Sequence, residues 1–244
     1  MATTMTPVYW LEQSESDVPK ANDWLGTAEL ARMNRFRIAK RRADWRLGRW
    51  TAKHAVAAYL NLSADPETLA GIEIRPARSG APEVFLNNQP ANLSISLGHR
   101  AGVAACAVAG PGAVLGCDLE IVEPRSDAFI TDYFTAHEQE LIASAADRDH
   151  VTALLWSAKE SALKALQEGL RLDTRSVVAK PAELLIQGDS VNEWRPLQVH
   201  YVEGQAFYGW WQSAGGFLRT LVAATAPPPP IPLNVVAYTA KKAA

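Results

Sequence analysis

The sequence predicts a mixed α and β fold organised as two similar halves. Three observations carry the prediction. A basic stretch near the N-terminus has helical apolar spacing. From Ile72 the pattern changes to short alternating runs broken by Gly and Pro. Helical periodicity then returns after Asp127 and is followed by a second set of alternating runs. The order helix, strands, helix, strands is the basis for two halves, because little residue identity supports an internal repeat. At 244 residues and 48% hydrophobic, the chain is long enough to bury a sizeable core in one or two domains.

In chain order, a loose start precedes Thr27, which with Glu29 opens a short helix toward Phe36. A longer helix runs to about Leu60, with Ala43, Leu47, Trp50 and Val56 at helical spacing. Ile72 to Ile74, Val84 to Leu86 and Leu93 to Leu97 read as strands separated by turn signals such as Ser79-Gly80-Ala81-Pro82. The runs Val103 to Val108 and Ala113 to Val122 flank Ala109-Gly110-Pro111-Gly112, whose composition predicts a hairpin turn and a boundary between a half spanning 1–110 and a half spanning 111–244. Helix is expected between about Asp127 and Leu166, ending near Gly169, and strands around Val177, Leu184, Val199, Phe207 and Leu221. The run Pro227 to Pro230 predicts a stiff connector or tail in polyproline geometry.

Composition removes several function classes. A formal net charge of −2 and a pI near 6.2 argue against a dedicated nucleic-acid binder. Cys106 and Cys117 sit in apolar runs without metal-type spacing, so they read as small buried hydrophobes in a reducing compartment. No basic leader with an apolar core is present, nor any run approaching the roughly 18 apolar residues of a membrane span. The expected address is the cytoplasm, with no membrane partner.

Four constellations carry chemistry. In Leu115-Gly116-Cys117-Asp118-Leu119-Glu120-Ile121, the two carboxylates share one strand face. Two ionised carboxylates buried side by side repel one another unless a cation lies between them, and oxygen ligands favour Mg²⁺ or Ca²⁺; on an exposed strand the pair is merely solvated. In Leu155 to Ala165, Trp156, Glu160 and Lys164 recur every four residues on one stripe, either facing a substrate or forming an ordinary surface ion pair with Trp156 in the core. Nine of the 24 Lys and Arg fall within 22 residues, Arg32 to Lys53, a density that binds phosphate or solvates a helix. Finally, the strand Leu93 to Leu97 ends in Gly98-His99-Arg100, which together could grip an anion.

In this order the segments resemble the larger, monomeric 4'-phosphopantetheinyl transferases, the type that activates surfactin synthetase and other fatty-acid, polyketide and nonribosomal peptide synthases. The resemblance runs from about Arg32 to Ser176. Its most specific part is Gly116-Cys117-Asp118-Leu119-Glu120 followed about forty residues later by Trp156-Ser157-Ala158-Lys159-Glu160-Ser161-Ala162-Leu163-Lys164-Ala165. Between them Tyr133-Phe134-Thr135-Ala136-His137-Glu138 is similar to the family's Phe-Phe-x-x-x-Glu segment. Two departures stand out: Ala81 where a lysine is common, and Gly98 where a serine precedes the histidine.

The resemblance implies an α+β fold of two pseudo-twofold halves, each a small antiparallel sheet packed with a long helix, binding coenzyme A between them. It implies Asp118, Glu120 and Glu160 as Mg²⁺ ligands, and Glu160 and Lys164 as catalytic residues. His99 and basic residues of the first half, with Arg35, Arg49, Lys53 and Arg75 as candidates, would hold the 3'-phosphate and adenosine end. The implied reaction is transfer of 4'-phosphopantetheine from coenzyme A to a serine of an acyl or peptidyl carrier protein, which would contact Phe134 or Leu141. A catalytically silent coenzyme A or carrier-binding homologue is the alternative that Ala81 and Gly98 motivate.

Overall fold

From Val8 the chain already pairs, within the segment where the sequence reading expected a loose start. Val8 and Trp10 are buried on one face and Leu11 on the other, so Val8–Ser14 forms a strand, β1, covered on both sides. The computed structural model describes residues 6–182 and 193–234. The expected strand around Leu184 lies outside them.

Six helices follow in chain order among the described residues: α1 (Thr27–Met33), α2 (Ala39–Tyr59), α3 (Pro66–Gly71), α4 (Asp127–Tyr133), α5 (Ala136–Ser144) and α6 (Arg148–Ala165). The single helical stretch expected from Asp127 to Leu166 is thus three helices. Thr135 and Asp147 cap α5 and α6 by accepting the amides of Glu138 and His150, which restarts the chain at each break.

The strands are β2 (Ile72–Pro76), β3 (Pro82–Leu86), β4 (Gln89–Pro90), β5 (Ser94–Arg100), β6 (Val103–Ala109), β7 (Leu115–Ile121), β8 (Val177–Pro181), β9 (Arg195–Tyr201), β10 (Ala206–Ala214), β11 (Phe217–Ala223) and β12 (Ile231–Pro232). They form sheets of order β12-β1-β6-β5, β7-β11-β10-β9-β8 and β2-β3-β4, antiparallel except where β12 joins β1. This is an α+β architecture, with α2 packed on the first sheet and α6 on the second.

The hairpin expected around Gly110 does not form. β6 pairs with β1 and β5, whereas β7 pairs with β11, so the connection carries the chain from one sheet to the other. The two sheets meet over small side chains, Ala105, Ala107 and Ala109 against Cys117 and Ala223, which allows their backbones to come close. Both cysteines are free and buried, as expected. The proline run is a connector, as expected, but a packed one. Pro227 accepts the Trp210 indole N–H at 3.0 Å, and the chain continues into β12 against β1, which returns the second half to the first.

The halves repeat one another more closely than the sequence reading allowed. In the first, Lys53 on α2 is fully buried, paired with Glu29 at 2.6 Å and donating to the carbonyls of Trp24 and Leu69, both at 2.9 Å. In the second, Lys159 on α6 is fully buried, paired with Glu138 at 2.8 Å and donating to the carbonyls of Thr174 and Val177. Each glutamate sits at the third position of a short helix and also accepts a strand amide, Ile74 on β2 or Ala179 on β8. The matching sequence is Trp50-Thr51-Ala52-Lys53 and Trp156-Ser157-Ala158-Lys159. That short motif was the available signal of duplication.

Candidate active site

Asp118 and Glu120 lie two apart on β7 and both reach α6, where Ser157 donates to Asp118 Oδ2 at 2.9 Å and the Trp156 indole donates to Glu120 Oε1 at 3.1 Å. They are only 6% and 9% exposed, so the solvated-strand reading does not hold. Two glycines make this approach possible. A Cβ on Gly116 would stand 1.8 Å from the Ser161 carbonyl oxygen of α6, and one on Gly98 would stand 3.0 Å from Asp118 Cα. The residue before His99 is therefore held to glycine by the backbone of β7.

Each carboxylate has a different electrostatic setting. Asp118 Oδ1 accepts from Lys164 Nζ at 2.8 Å, and that ammonium also donates to the Cys117 carbonyl at 2.9 Å. Behind it, the Ser157 hydroxyl meets Thr220 Oγ1 at 2.8 Å and Thr220 meets Ser161 Oγ at 2.7 Å, a buried hydroxyl chain that fixes the carboxylate's orientation. Glu120 faces Arg125 at 3.2 Å and Arg100 at 3.4 Å, so Arg100, expected to grip an anion of the substrate, serves a carboxylate of the protein. Glu160 makes no hydrogen bond or ion pair among the described residues. Burial, and then the negative charge of Asp118, push its carboxyl up to about 7, with Lys164 opposing and Glu120 adding to the rise.

The neighbouring groups follow the same physics. Burial and then Asp118 raise Glu120, against Arg100, Arg125 and the Trp156 hydrogen bond. Burial disfavours the Lys164 ammonium, but Asp118, Cys117 and Glu160 outweigh it and leave its pKa raised. The His99 side chain is exposed at the end of β5, yet desolvation by the surrounding protein pushes its pKa down; Asp44 and Asp118 oppose, while Lys164 and Lys40 reinforce the drop. A lysine that stays charged thus acts on a carboxyl that titrates near neutrality.

A stability measurement checks the Glu160 environment. A carboxyl whose folded pKa lies above its unfolded value of 4.5 binds its proton more tightly in the folded state, so its contribution is full below 4.5 and is lost as pH rises through about 7. Denaturant melts of the metal-free protein should therefore show a fall in stability across that window, and Glu160→Gln should remove that part of the slope. An unchanged slope in the variant would show that Glu160 is not perturbed.

Among the described residues no three or more His, Cys, Asp or Glu side chains are gathered so as to hold a metal ion. The donor set still fits a hard divalent cation. Asp118, Glu120 and Glu160 offer only oxygen, burial and then the charge of Asp118 raise both Glu160 and Glu120, and an open set completed by water and phosphate is how Mg²⁺ is commonly held.

Beside this cluster lies a cavity of about 670 Å³ between the halves. Arg32, Arg49 and Arg75 line it from the first half, and Lys164 and Gln167 from the second. Arg49 and Arg75, two of the candidates for the 3'-phosphate and adenosine end, stand on this cleft wall. Arg75 lies over the Phe85 ring at 4.1 Å and pairs with Glu73 at 2.9 Å, while Arg49, lowered to about 10 by burial, lies over Trp45 at 5.0 Å. Arg35 is exposed and is not part of the cleft wall. Lys53 cannot meet a ligand, because its ammonium is enclosed by Glu29 and two carbonyls. Phe134 is fully buried beneath Lys159 and cannot present an apolar contact to a partner, whereas Leu141 is half-buried. Arg32, which sequence reasoning left undistinguished in the basic run, is the cleft residue it missed.

Residues 114–210 match the family model described as the 4'-phosphopantetheinyl transferase superfamily. Over 178 residues, 71% of this chain and 73% of the other, the chain is 28% identical to the 4'-phosphopantetheinyl transferase HetI of a Nostoc species. The segment matched by the family model contains Asp118, Glu120, Glu160 and Lys164.

Proposed function

We propose, for a chain that belongs to the 4'-phosphopantetheinyl transferase superfamily through residues 114–210, that it moves the 4'-phosphopantetheine arm of coenzyme A to a serine hydroxyl of a carrier protein. The observation that carries the site assignment is the junction itself. Asp118 and Glu120 on β7 meet the α6 stripe of Glu160 and Lys164 at the edge of an arginine-lined cleft.

In the reaction, the carrier serine oxygen forms a bond to the pantetheine-side phosphorus as that phosphorus loses its bond to the oxygen of 3',5'-ADP. Glu160, which makes no hydrogen bond among the described residues, takes the serine proton, directly or through a water. Lys164, anchored by Asp118 and kept charged, is positioned to neutralise charge developing on the leaving phosphate. Arg49, Arg75 and Arg32 on the cleft wall offer the donors for the 3'-phosphate and adenosine end, with His99 at the exposed end of β5 outside that wall as a further candidate, so residues 1–110 hold nucleotide and 111–244 hold the chemistry. Mg²⁺ bound by Asp118, Glu120 and Glu160 would supply electrostatic stabilisation of the pyrophosphate.

Both walls of the cleft come from one chain, which supports action as a monomer. Free, buried cysteines support a cytoplasmic address, and among the described residues no helix is long and apolar enough to cross a membrane.

Mass spectrometry of an apo carrier protein incubated with this protein, coenzyme A and Mg²⁺ tests the reading. The expected result is a gain of one phosphopantetheine, lost when EDTA is present. No gain across several carrier types, with coenzyme A still bound, would identify a catalytically silent homologue instead.

A further inference from the structure

The repeated frame of the two halves ends in two different pockets. In the second half, the α6 residues Trp156 and Glu160 face Glu120 of β7. In the first, the corresponding α2 residues are Trp50 and His54, three before and one after the buried lysine, and they share a cavity with Gln13 of β1. Gln13 follows Leu11 by two, as Glu120 follows Asp118, so each pair shares one strand face; Leu11 joins the core packed around α2. Both carboxylates of the active-site strand and the glutamate of its helix thus have neutral counterparts.

This cavity has a volume of about 520 Å³, within the range of small-ligand sites. Its floor is polar and unpartnered. His54 is 4% exposed, and both of its ring nitrogens lack a partner among the described residues, as do Gln13 Oε1 and Trp50 Nε1. Burying such groups without a partner costs free energy, which a ligand placing its own polar edge there would recover. Trp24, Trp50 and Leu69 provide flat apolar walls, with the His54 ring 4.1 Å from that of Trp50. The charged residues of the wall are Asp17 and Asp23, and no lysine or arginine belongs to it. Lys53 turns away toward Glu29.

We propose that the first half carries a second ligand pocket, the counterpart of the active site, which takes a small organic ammonium borne on a flat apolar body. The apolar body lies against the half-buried Trp50 indole, which meets Trp24 edge-on at 5.0 Å behind it, a polar edge meets Gln13 and His54, and the ammonium stays at the Asp17 and Asp23 rim. Asp17 and Asp23 outnumber the one cation behind the wall, Arg46, whose guanidinium is taken up by the Ala21 carbonyl and lies 6.0 Å from the Trp24 ring, so the rim disfavours anions, and the Trp50 indole offers a face to an apolar ring. Burial pushes His54 down to about 4, so at neutral pH it offers one donor and one acceptor without adding positive charge. The proposal stands on the fold and does not depend on the transferase reading.

Indole N–H resonances of the full chain, with Trp50 assigned through Trp50→Phe, provide the test. Phenethylamine should shift the Trp50 signal saturably. 2-Phenylethanol, of the same shape without charge, should bind about tenfold more weakly, and phenylacetate should bind least. Asp23→Asn should weaken phenethylamine by about tenfold while carrier modification stays unchanged, and coenzyme A should not displace the amine. Phenylacetate binding as well as phenethylamine, the absence of any saturable shift, or displacement by coenzyme A would overturn the proposal. His54→Phe, which fills the floor, should abolish the shift; the rim variant keeps the test decisive if His54→Phe fails to fold.

Discussion

Asp118→Asn is expected to reduce carrier modification by a factor of at least about 10² to 10³ while leaving the protein folded, the scale seen when a preorganised electrostatic group is removed from an active site. The substitution preserves volume and can keep the Ser157 hydrogen bond, but it withdraws the charge that anchors Lys164. Two consequences separate this from a general loss of structure. The negative charge of Asp118 is the second cause of the raised Glu160 pKa, so the acid limb of any residual activity should move to lower pH. Because the Lys164 side chain is 28% exposed, the stranded ammonium can find water, and the thermal midpoint should change little. Lys164→Ala, in comparison, should lower turnover more than it raises the Michaelis constant for coenzyme A. Asp118→Asn with near-normal turnover would remove Asp118 from the site.

How much of this was legible in the sequence depended on how local each cause is. The Asp118–Glu120 alternation and the Trp156, Glu160, Lys164 stripe are periodicities, and periodicity fixes which residues share a face. Which lysine is enclosed is not a periodic property. Lys53 and Lys164 both sit on long helices, yet the first is closed off by Glu29, 24 positions earlier, and the second meets Asp118 of β7, 46 positions earlier. The missed β1 strand and the mistaken hairpin share a cause as well. β1 completes its sheet with β6, about a hundred residues away, and β7 pairs with β11, so neither pairing leaves a local signal stronger than the turn residues at Gly110-Pro111-Gly112. Gly98 looked like the loss of a hydroxyl until its contact with the Asp118 backbone gave it a packing reason.

The largest effect on stability should come from Glu138→Gln. Glu138 and Lys159 are both 0% exposed, so the variant leaves an ammonium sealed in the core with only carbonyls for partners, a change that costs about 3–5 kcal/mol when one member of a buried pair is removed. At about 2–4 °C per kcal/mol for a chain of this size, the melting midpoint should fall by roughly 6–20 °C. Activity should fall with it even below the melt, because Lys159 precedes Glu160 and sets the rotation of α6 that turns Glu160 and Lys164 toward β7. Glu29→Gln breaks the twin pair in the first half and should lower the midpoint similarly, without touching the carboxylate cluster. The double variant then asks how the halves are coupled. Additive losses in one cooperative transition would mean that the Ala105–Ala109 and Cys117 interface makes them unfold together, since distant sites add when they share one folded state. Two separated transitions, each moved by only one substitution, would mean that each buried pair holds its own half and that the cleft between them can open while both remain folded.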